Sequence, residues 1–140
     1  MNKLLLRLST TYAAGTVGAA VNSLAGWLFG MLGITALLGV KIAPALTLAW
    51  FYPRLVWGGL WAFLFLIPVW KDRWILRGLL WSLAPTIAQL CYLFPFVAHK
   101  GMLGLGLGAL TPAFVVFFNA IWGVVASWWL SAAEKGTSRQ

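Results

Sequence analysis

Long apolar runs alternate with short polar segments along the whole chain. Four of these runs, at about residues 8–33, 54–70, 74–97 and 110–131, approach the roughly 20 apolar residues that a helix needs to cross a bilayer. None of them has a charged residue well inside it. The pattern predicts an all-α, polytopic membrane protein, with residues 1–140 forming a single domain of four transmembrane helices.

The distribution of basic residues predicts the orientation of these helices. Seven lysines and arginines precede the first run, separate the second from the third or follow the fourth, whereas three lie on the other side. Because cytoplasmic loops carry an excess of Lys and Arg, we expect both termini in the cytoplasm. The segment KDRWILR at 71–77 is the strongest cytoplasmic marker. It is so short that we expect the second and third helices to form a tight antiparallel hairpin.

The two connections on the non-cytoplasmic side are unusually apolar for loops. Residues 34–53 are broken by glycine and proline, and residues 99–112 contain four glycines. We expect short interfacial or re-entrant segments here, since irregular backbone at membrane depth must be covered by protein or line a water-filled cavity. In the third run, Pro85 predicts a kink, and Pro95 predicts the end of the helix.

Small residues recur at every fourth position in the first run, and Asn119, Gly123 and Ser127 repeat this spacing in the fourth. Lipid is as apolar as leucine, so close packing of small residues, rather than hydrophobicity, draws spanning helices together. We expect helices one, three and four to form the tight core, with helix two more peripheral. The ridge on the first helix consists of Ala14, Gly18, Asn22, Gly26 and Gly30.

Three uncharged polar residues, Asn22, Gln89 and Asn119, lie within the apolar runs. Polar groups in hydrocarbon need partners, which are supplied either by other helices or by a substrate. We favour interhelical hydrogen bonds, and we expect Asn22 to face Asn119 with Gln89 nearby. No acidic residue lies in any run, which argues against a transporter coupled to protons or sodium.

The composition agrees with a membrane protein and offers little chemistry. Hydrophobic residues make up 62% of the chain and charged residues 9%, against about 25% charged residues in a soluble domain. The net charge of +8 is explained by topology, so no nucleic-acid partner is predicted. Cys91 has no partner for a disulfide, and no catalytic or metal-ligating cluster is recognisable, so we expect no enzyme activity, metal or cofactor. We expect bound lipid, and we do not favour His99 as a single axial ligand of a pigment or haem.

The segment between residues 78 and 123 carries a set of recognisable apolar motifs. They are Gly78-Leu79-Leu80, Ala88-Gln89-Leu90, Phe94-Pro95, a Gly-Leu run and Leu110-Thr111-Pro112. In these motifs the chain resembles the uncharacterised YagU-type bacterial inner-membrane proteins over about a third of its length. The resemblance implies a location in the bacterial inner (cytoplasmic) membrane, and it implies no particular chemistry.

Three functional hypotheses follow from these features. The first is a small non-catalytic membrane protein that acts through helix packing, as an accessory subunit of a larger membrane complex or as a homo-oligomer. Its partners would be membrane lipids and other membrane subunits or a second copy of itself. The second is a channel or small-solute transporter built from a dimer. The third is a lipid- or quinone-handling protein in which Arg54, His99 and Lys100 contact a headgroup.

Overall fold

The computed structural model describes residues 2–139, and all regular structure in this range is helical, as predicted. Four long helical segments follow one another, and the second and third each change helix type along their length. The chain runs through α1 (Lys3–Met31), the one-turn α2 (Ile34–Leu37), α3 (Leu48–Trp61) continuing as a 3-10 helix (Ala62–Leu66), α4 (Trp74–Ala88) continuing as a π-helix (Gln89–Val97), a 3-10 segment (Met102–Leu107) and α5 (Thr111–Ser138).

Side-chain caps and left-handed glycines set several helix ends. The Asn2 side chain accepts a hydrogen bond from the Leu4 amide at 2.9 Å, and Thr47 caps α3 by accepting one from the Trp50 amide at 3.2 Å. Gly33 takes a φ of 76° directly after α1, a conformation that turns the chain into α2 and is easily adopted by glycine.

The four long segments are arranged in the order α3, α1, α5, α4, with neighbours antiparallel. Gly18 of α1 lies against Trp122 of α5, while Phe29, near the other end of α1, lies against Phe114 near the start of α5. α3 packs on the far side of α1, and α4 packs on the far side of α5. The start of α1 and the end of α5 therefore lie at one end of the bundle, which we call the end of the termini, and the two long connections lie at the other.

Glycines permit the closest contacts between these helices. Gly15 lies directly against Gly58, and a Cβ at Gly78 would stand only 2.5 Å from the carbonyl oxygen of Gly123. Gly58 and Gly59 are both buried against α1. The expectation that helix two is more peripheral than helix three is therefore wrong, since both are outer helices that pack closely on a central one. The two glycines of helix two let α3 approach α1 as closely as α4 approaches α5, despite the bulky residues around them.

The predicted tight hairpin between the second and third helices is also wrong. α3 and α4 follow each other in sequence, but each packs on a different central helix, and a cavity separates them. They are joined near the turn, where the Arg77 guanidinium donates to the Phe65 carbonyl and stacks on the Phe65 ring at 5.4 Å. The glycine surfaces of α3 and α4 face α1 and α5, which leaves bulkier side chains facing the gap.

The helix boundaries correct several predicted spans. Within residues 2–139, two helices are long and apolar enough to cross a membrane, Trp74–Val97 and Thr111–Ser138. α1 has the length, but the small and polar residues of its ridge lower its mean hydropathy. The second helix begins at Leu48 rather than at residue 54. Pro95 does not end the third helix but lies inside its π-helical part.

The two connections opposite the termini contact each other. After α2 the chain is irregular up to Thr47, and the Lys41 amide donates to the Leu107 carbonyl of the second connection at 2.8 Å. The Thr35 hydroxyl donates to the Ile42 carbonyl at 2.7 Å, which folds the first connection back on itself. Val40 is buried beside Phe114 and Phe118, so this connection covers one end of the bundle.

We expect Gly18→Ala to destabilise the bundle and Gly26→Ala, on the same ridge, to leave its stability unchanged or slightly raised. A Cβ at Gly18 would lie 2.5 Å from the Trp122 carbonyl oxygen, whereas a Cβ at Gly26 meets no atom within 4 Å. Overpacking costs about 1–3 kcal/mol, while alanine in place of a helical glycine gains up to about 1 kcal/mol. Thermal unfolding of the detergent-purified variants measures both effects, and equal losses would contradict the close approach at Gly18.

Candidate functional site

A hydrogen-bonded polar network joins α1, α4 and α5 inside the bundle. The Asn22 amide donates to the Phe118 carbonyl at 2.8 Å and to Asn119 Oδ1 at 3.4 Å. Asn119 in turn donates to Thr86 Oγ1 at 3.1 Å and to Gln89 Oε1 at 3.3 Å. The structure thus brings together the three polar residues that the sequence analysis paired, and it adds Thr86 to them.

Arg54 extends this network from α3. Its Nε donates to the Ser23 hydroxyl at 2.8 Å, and its Nη2 donates to Asn22 Oδ1 at 2.8 Å. The guanidinium also stacks on the Trp50 ring at 4.8 Å from the ring centre. Arg54 is therefore partly buried between α3 and α1, whereas the sequence analysis placed it at the membrane surface.

The network has hydrogen-bond donors to spare at both ends. The amides of Asn22 and Asn119 each donate twice, and the side-chain oxygens of Asn22, Asn119 and Gln89 each accept a bond. Arg54 has five N–H donors, of which two bind protein groups, and the Gln89 amide makes no bond to a described residue. The network therefore has unused N–H donors, and a ligand that accepts hydrogen bonds would satisfy them.

Arg54 has no acidic partner in this bundle. The chain contains only two acidic side chains, Asp72 and Glu134. Asp72 lies in the turn that precedes α4, and Glu134 lies in the last turns of α5, so both are at the end of the bundle that carries the termini. Both are exposed, and the groups that bind Arg54 are all neutral.

Two cavities border the network. The larger, of about 440 Å³, lies between α3 and α4, above a floor formed by α1 and α5. The smaller, of about 360 Å³, lies below the two long connections and includes Lys41. Residues Arg54, Gln89 and Asn119 line both cavities. Both volumes fall in the range of about 300–1,000 Å³ that is typical of small-molecule sites.

The other residues predicted to form a site lie in different parts of the structure. His99 and Lys100 are exposed in the second connection, and neither lines a cavity with Arg54, so the structure does not gather the three into one headgroup site. The ridge residues Ala14, Gly18, Gly26 and Ser127 are buried. Gly30 lies against Ala43 of the first connection, and Gly123 lies against Gly78.

The role of Arg54 and the contributions of Ser23, Thr86 and Lys41 to its surroundings were not predicted from the sequence. A signal for Arg54 was present, because apolar and aromatic residues flank it on both sides in WFYPRLVW. Thr47 was also available as a helix cap seven residues earlier, which would have put Arg54 inside a helix rather than at its start.

Comparison of the chain with protein-family models, curated proteins and solved structures found no match in any of the three. The resemblance to YagU-type proteins therefore stays a prediction.

We expect Asn22→Leu to destabilise the protein by about 1–3 kcal/mol, because it removes the acceptor of Arg54 Nη2, the donor to Asn119 Oδ1 and the side-chain bond to the Phe118 carbonyl. Thermal unfolding in mild detergent measures this loss. Val21→Leu is the matched control, since Val21 is exposed on the same helix. Equal stability of the two variants would show that the network contributes nothing to folding.

Proposed function

We propose that this chain is a small integral membrane protein with four spans, which binds an anionic ligand at Arg54. Its surface supports the membrane assignment, because large apolar side chains are exposed on every long helix. Leu24, Trp57, Ile87 and Phe117 are examples from the four segments. Exposure on this scale is unfavourable in water and is expected for side chains that face lipid.

The position of Arg54 along the bundle carries the proposal. At 1.5 Å per residue, its partner Asn22 lies about 13 Å from the end of α1 at Met31. By the same measure, Asn119 lies about 12 Å from the start of α5 at Thr111. In a hydrocarbon layer about 30 Å thick, the guanidinium is then well below the surface. A cation at such a depth is unfavourable and is a functional candidate by default.

An anionic ligand would offset this unfavourable charge. The protein contacts of Arg54 are neutral, it has N–H donors that bind no described residue, and it lines two cavities. Carboxylates and phosphates are the groups that the planar guanidinium binds best, because they accept two parallel hydrogen bonds. The function that this site supports best is therefore reversible binding of such a group inside the bilayer.

Transport of the bound anion is a second candidate. Arg54, Gln89 and Asn119 line both the cavity between α3 and α4 and the cavity beneath the connections, so one set of donors serves two compartments. Flux of the bound anion into liposomes would separate a carrier from a binding protein, since binding alone moves no solute across the bilayer.

For location, we propose the bacterial inner membrane, which the resemblance to YagU-type proteins implies. We propose that both termini lie in the cytoplasm, on the basis of the asymmetric basic residues. Action as an accessory subunit or homo-oligomer stays a prediction. Gly15, Gly18 and Gly30 of the first helix are occupied by contacts within the chain. The small-residue ridge is therefore not, by itself, a reason to expect a partner.

We expect anions to raise the unfolding temperature of the wild-type protein and to have no such effect on Arg54→Gln. The assay is thermal unfolding in an uncharged detergent with inorganic phosphate, acetate or dodecanoate, and with chloride at equal ionic strength as reference. A ligand at 100 times its Kd stabilises the folded state by about 2.7 kcal/mol. Arg54→Lys should respond weakly, because it keeps the charge without the planar fork.

Lys100→Gln is the matched control, since it removes an exposed cation outside the site. It should respond to anions as the wild type does. A wild-type protein that responds to no anion, or an Arg54→Gln variant that responds fully, would contradict the proposed function and leave Arg54 a purely structural residue.

A further inference from the structure

We infer that the ligand at Arg54 is an amphiphile, with a carboxylate or phosphate headgroup and a hydrocarbon tail that lies in the cleft between α3 and α4. This inference rests on the proposed function, because it names the class of anion for that site. It is carried by the shape and lining of the larger cavity, whose polar groups are gathered at one place and whose walls are otherwise apolar.

The polar end of the cleft matches an oxyacid. Nε and one N–H of Arg54 Nη2 bind Ser23 and Asn22. At the other end of the guanidinium, both N–H groups of Nη1 and one of Nη2 have no partner among the described residues. Two parallel hydrogen bonds from that end would hold a carboxylate or phosphate, and the Gln89 amide lines the same cavity as a further donor. No acidic side chain lines the cavity to repel the ligand.

The walls of the cleft match a hydrocarbon tail. The polar contribution comes from Asn22, Arg54, Gln89 and Asn119, while most of the remaining lining is aromatic, aliphatic or proline. The main apolar groups are Trp57, Trp61, Pro85, Leu93 and Trp122. A small hydrophilic anion would leave this apolar wall without a partner, whereas a tail would bury it.

The cleft opens sideways, toward the place that lipid would occupy. Trp57 on α3 and Tyr92 on the π-helix both line it, and each is 61% exposed. At the end near the turn, the Arg77 side chain ties α4 to the Phe65 carbonyl and closes the gap between the two segments. A tail can therefore leave the site laterally between Trp57 and Tyr92, without passing through the aqueous phase.

The experiment compares ligands that share a head or a tail. Binding to the protein in uncharged detergent is measured for dodecanoate, dodecyl phosphate, acetate, inorganic phosphate and dodecanol. Dodecanoate and dodecyl phosphate differ in the headgroup, acetate and inorganic phosphate lack the tail, and dodecanol lacks the charge. We expect both long-chain anions to bind at least about tenfold more tightly than acetate, inorganic phosphate and dodecanol. The tighter of the two long-chain anions identifies the headgroup.

Two variants of α4 test the location of the tail. Ala88→Phe places a large side chain in the lining of the cleft, and Leu83→Phe places the same group on a surface that is 48% exposed and outside the cleft. We expect Ala88→Phe to weaken binding of dodecanoate about tenfold or more, while Leu83→Phe binds as the wild type does. Arg54→Gln should weaken binding of the long-chain anions without changing that of dodecanol.

The possible results separate this inference from the proposed function. If short and long anions bind equally and Ala88→Phe has no effect, an Arg54 anion site exists but the amphiphile is excluded, and the ligand is a hydrophilic anion reaching the site past Lys41. If dodecanoate, dodecyl phosphate and dodecanol bind equally well, and neither Ala88→Phe nor Arg54→Gln weakens their binding, the signal reflects partitioning into the detergent micelle. This inference is then overturned. If Arg54→Gln changes the binding of none of the anions, both proposals fail.

Discussion

The close approach of helix backbones at glycines determines the shape of this bundle. Gly58 and Gly59 bring α3 against α1, and Gly78 meets Gly123 where α4 crosses α5. Because each outer helix uses its narrow face on a different central helix, α3 and α4 cannot also pack on each other. The cleft between them, and the cavity that it encloses, are therefore a consequence of where the small residues lie rather than a packing defect.

This arrangement also explains how a cation is held inside the bundle. Once Gly58 lies against α1, Arg54, one helical turn earlier on α3, lies beside Ser23 and Asn22. These neutral groups bind two of its donors but do not neutralise its charge. The asparagine network behind them fixes the Asn22 side chain through Asn119, Thr86 and Gln89, so that the guanidinium meets a positioned acceptor. The packing of Gly58 on α1 thus determines where the charge of Arg54 lies.

Sequence patterns anticipated the parts of the fold that depend on local composition. The third span was placed at 74–97, where the structure has a helix, and Asn22 was placed opposite Asn119 from its position on the small-residue ridge. The order of the helices was not accessible in the same way, because a Gly pair among bulky residues does not say which neighbour it faces. Arg54 was misplaced for a related reason: a charge at the edge of an apolar run resembles a surface residue until its partners on another helix are known.

Moving Arg54 from the surface to the interior changes the meaning of the charge pattern. Arg54 no longer belongs to the loop charges, and neither does Arg77, which is buried within α4, so the side opposite the termini keeps two basic residues, Lys41 and Lys100, against six on the other. The asymmetry that predicts cytoplasmic termini becomes stronger. Of these two lysines, Lys41 lines the cavity beneath the connections, which Arg54 also lines. Two cations, Arg54 and Lys41, thus line this cavity, and no acidic side chain among the described residues does.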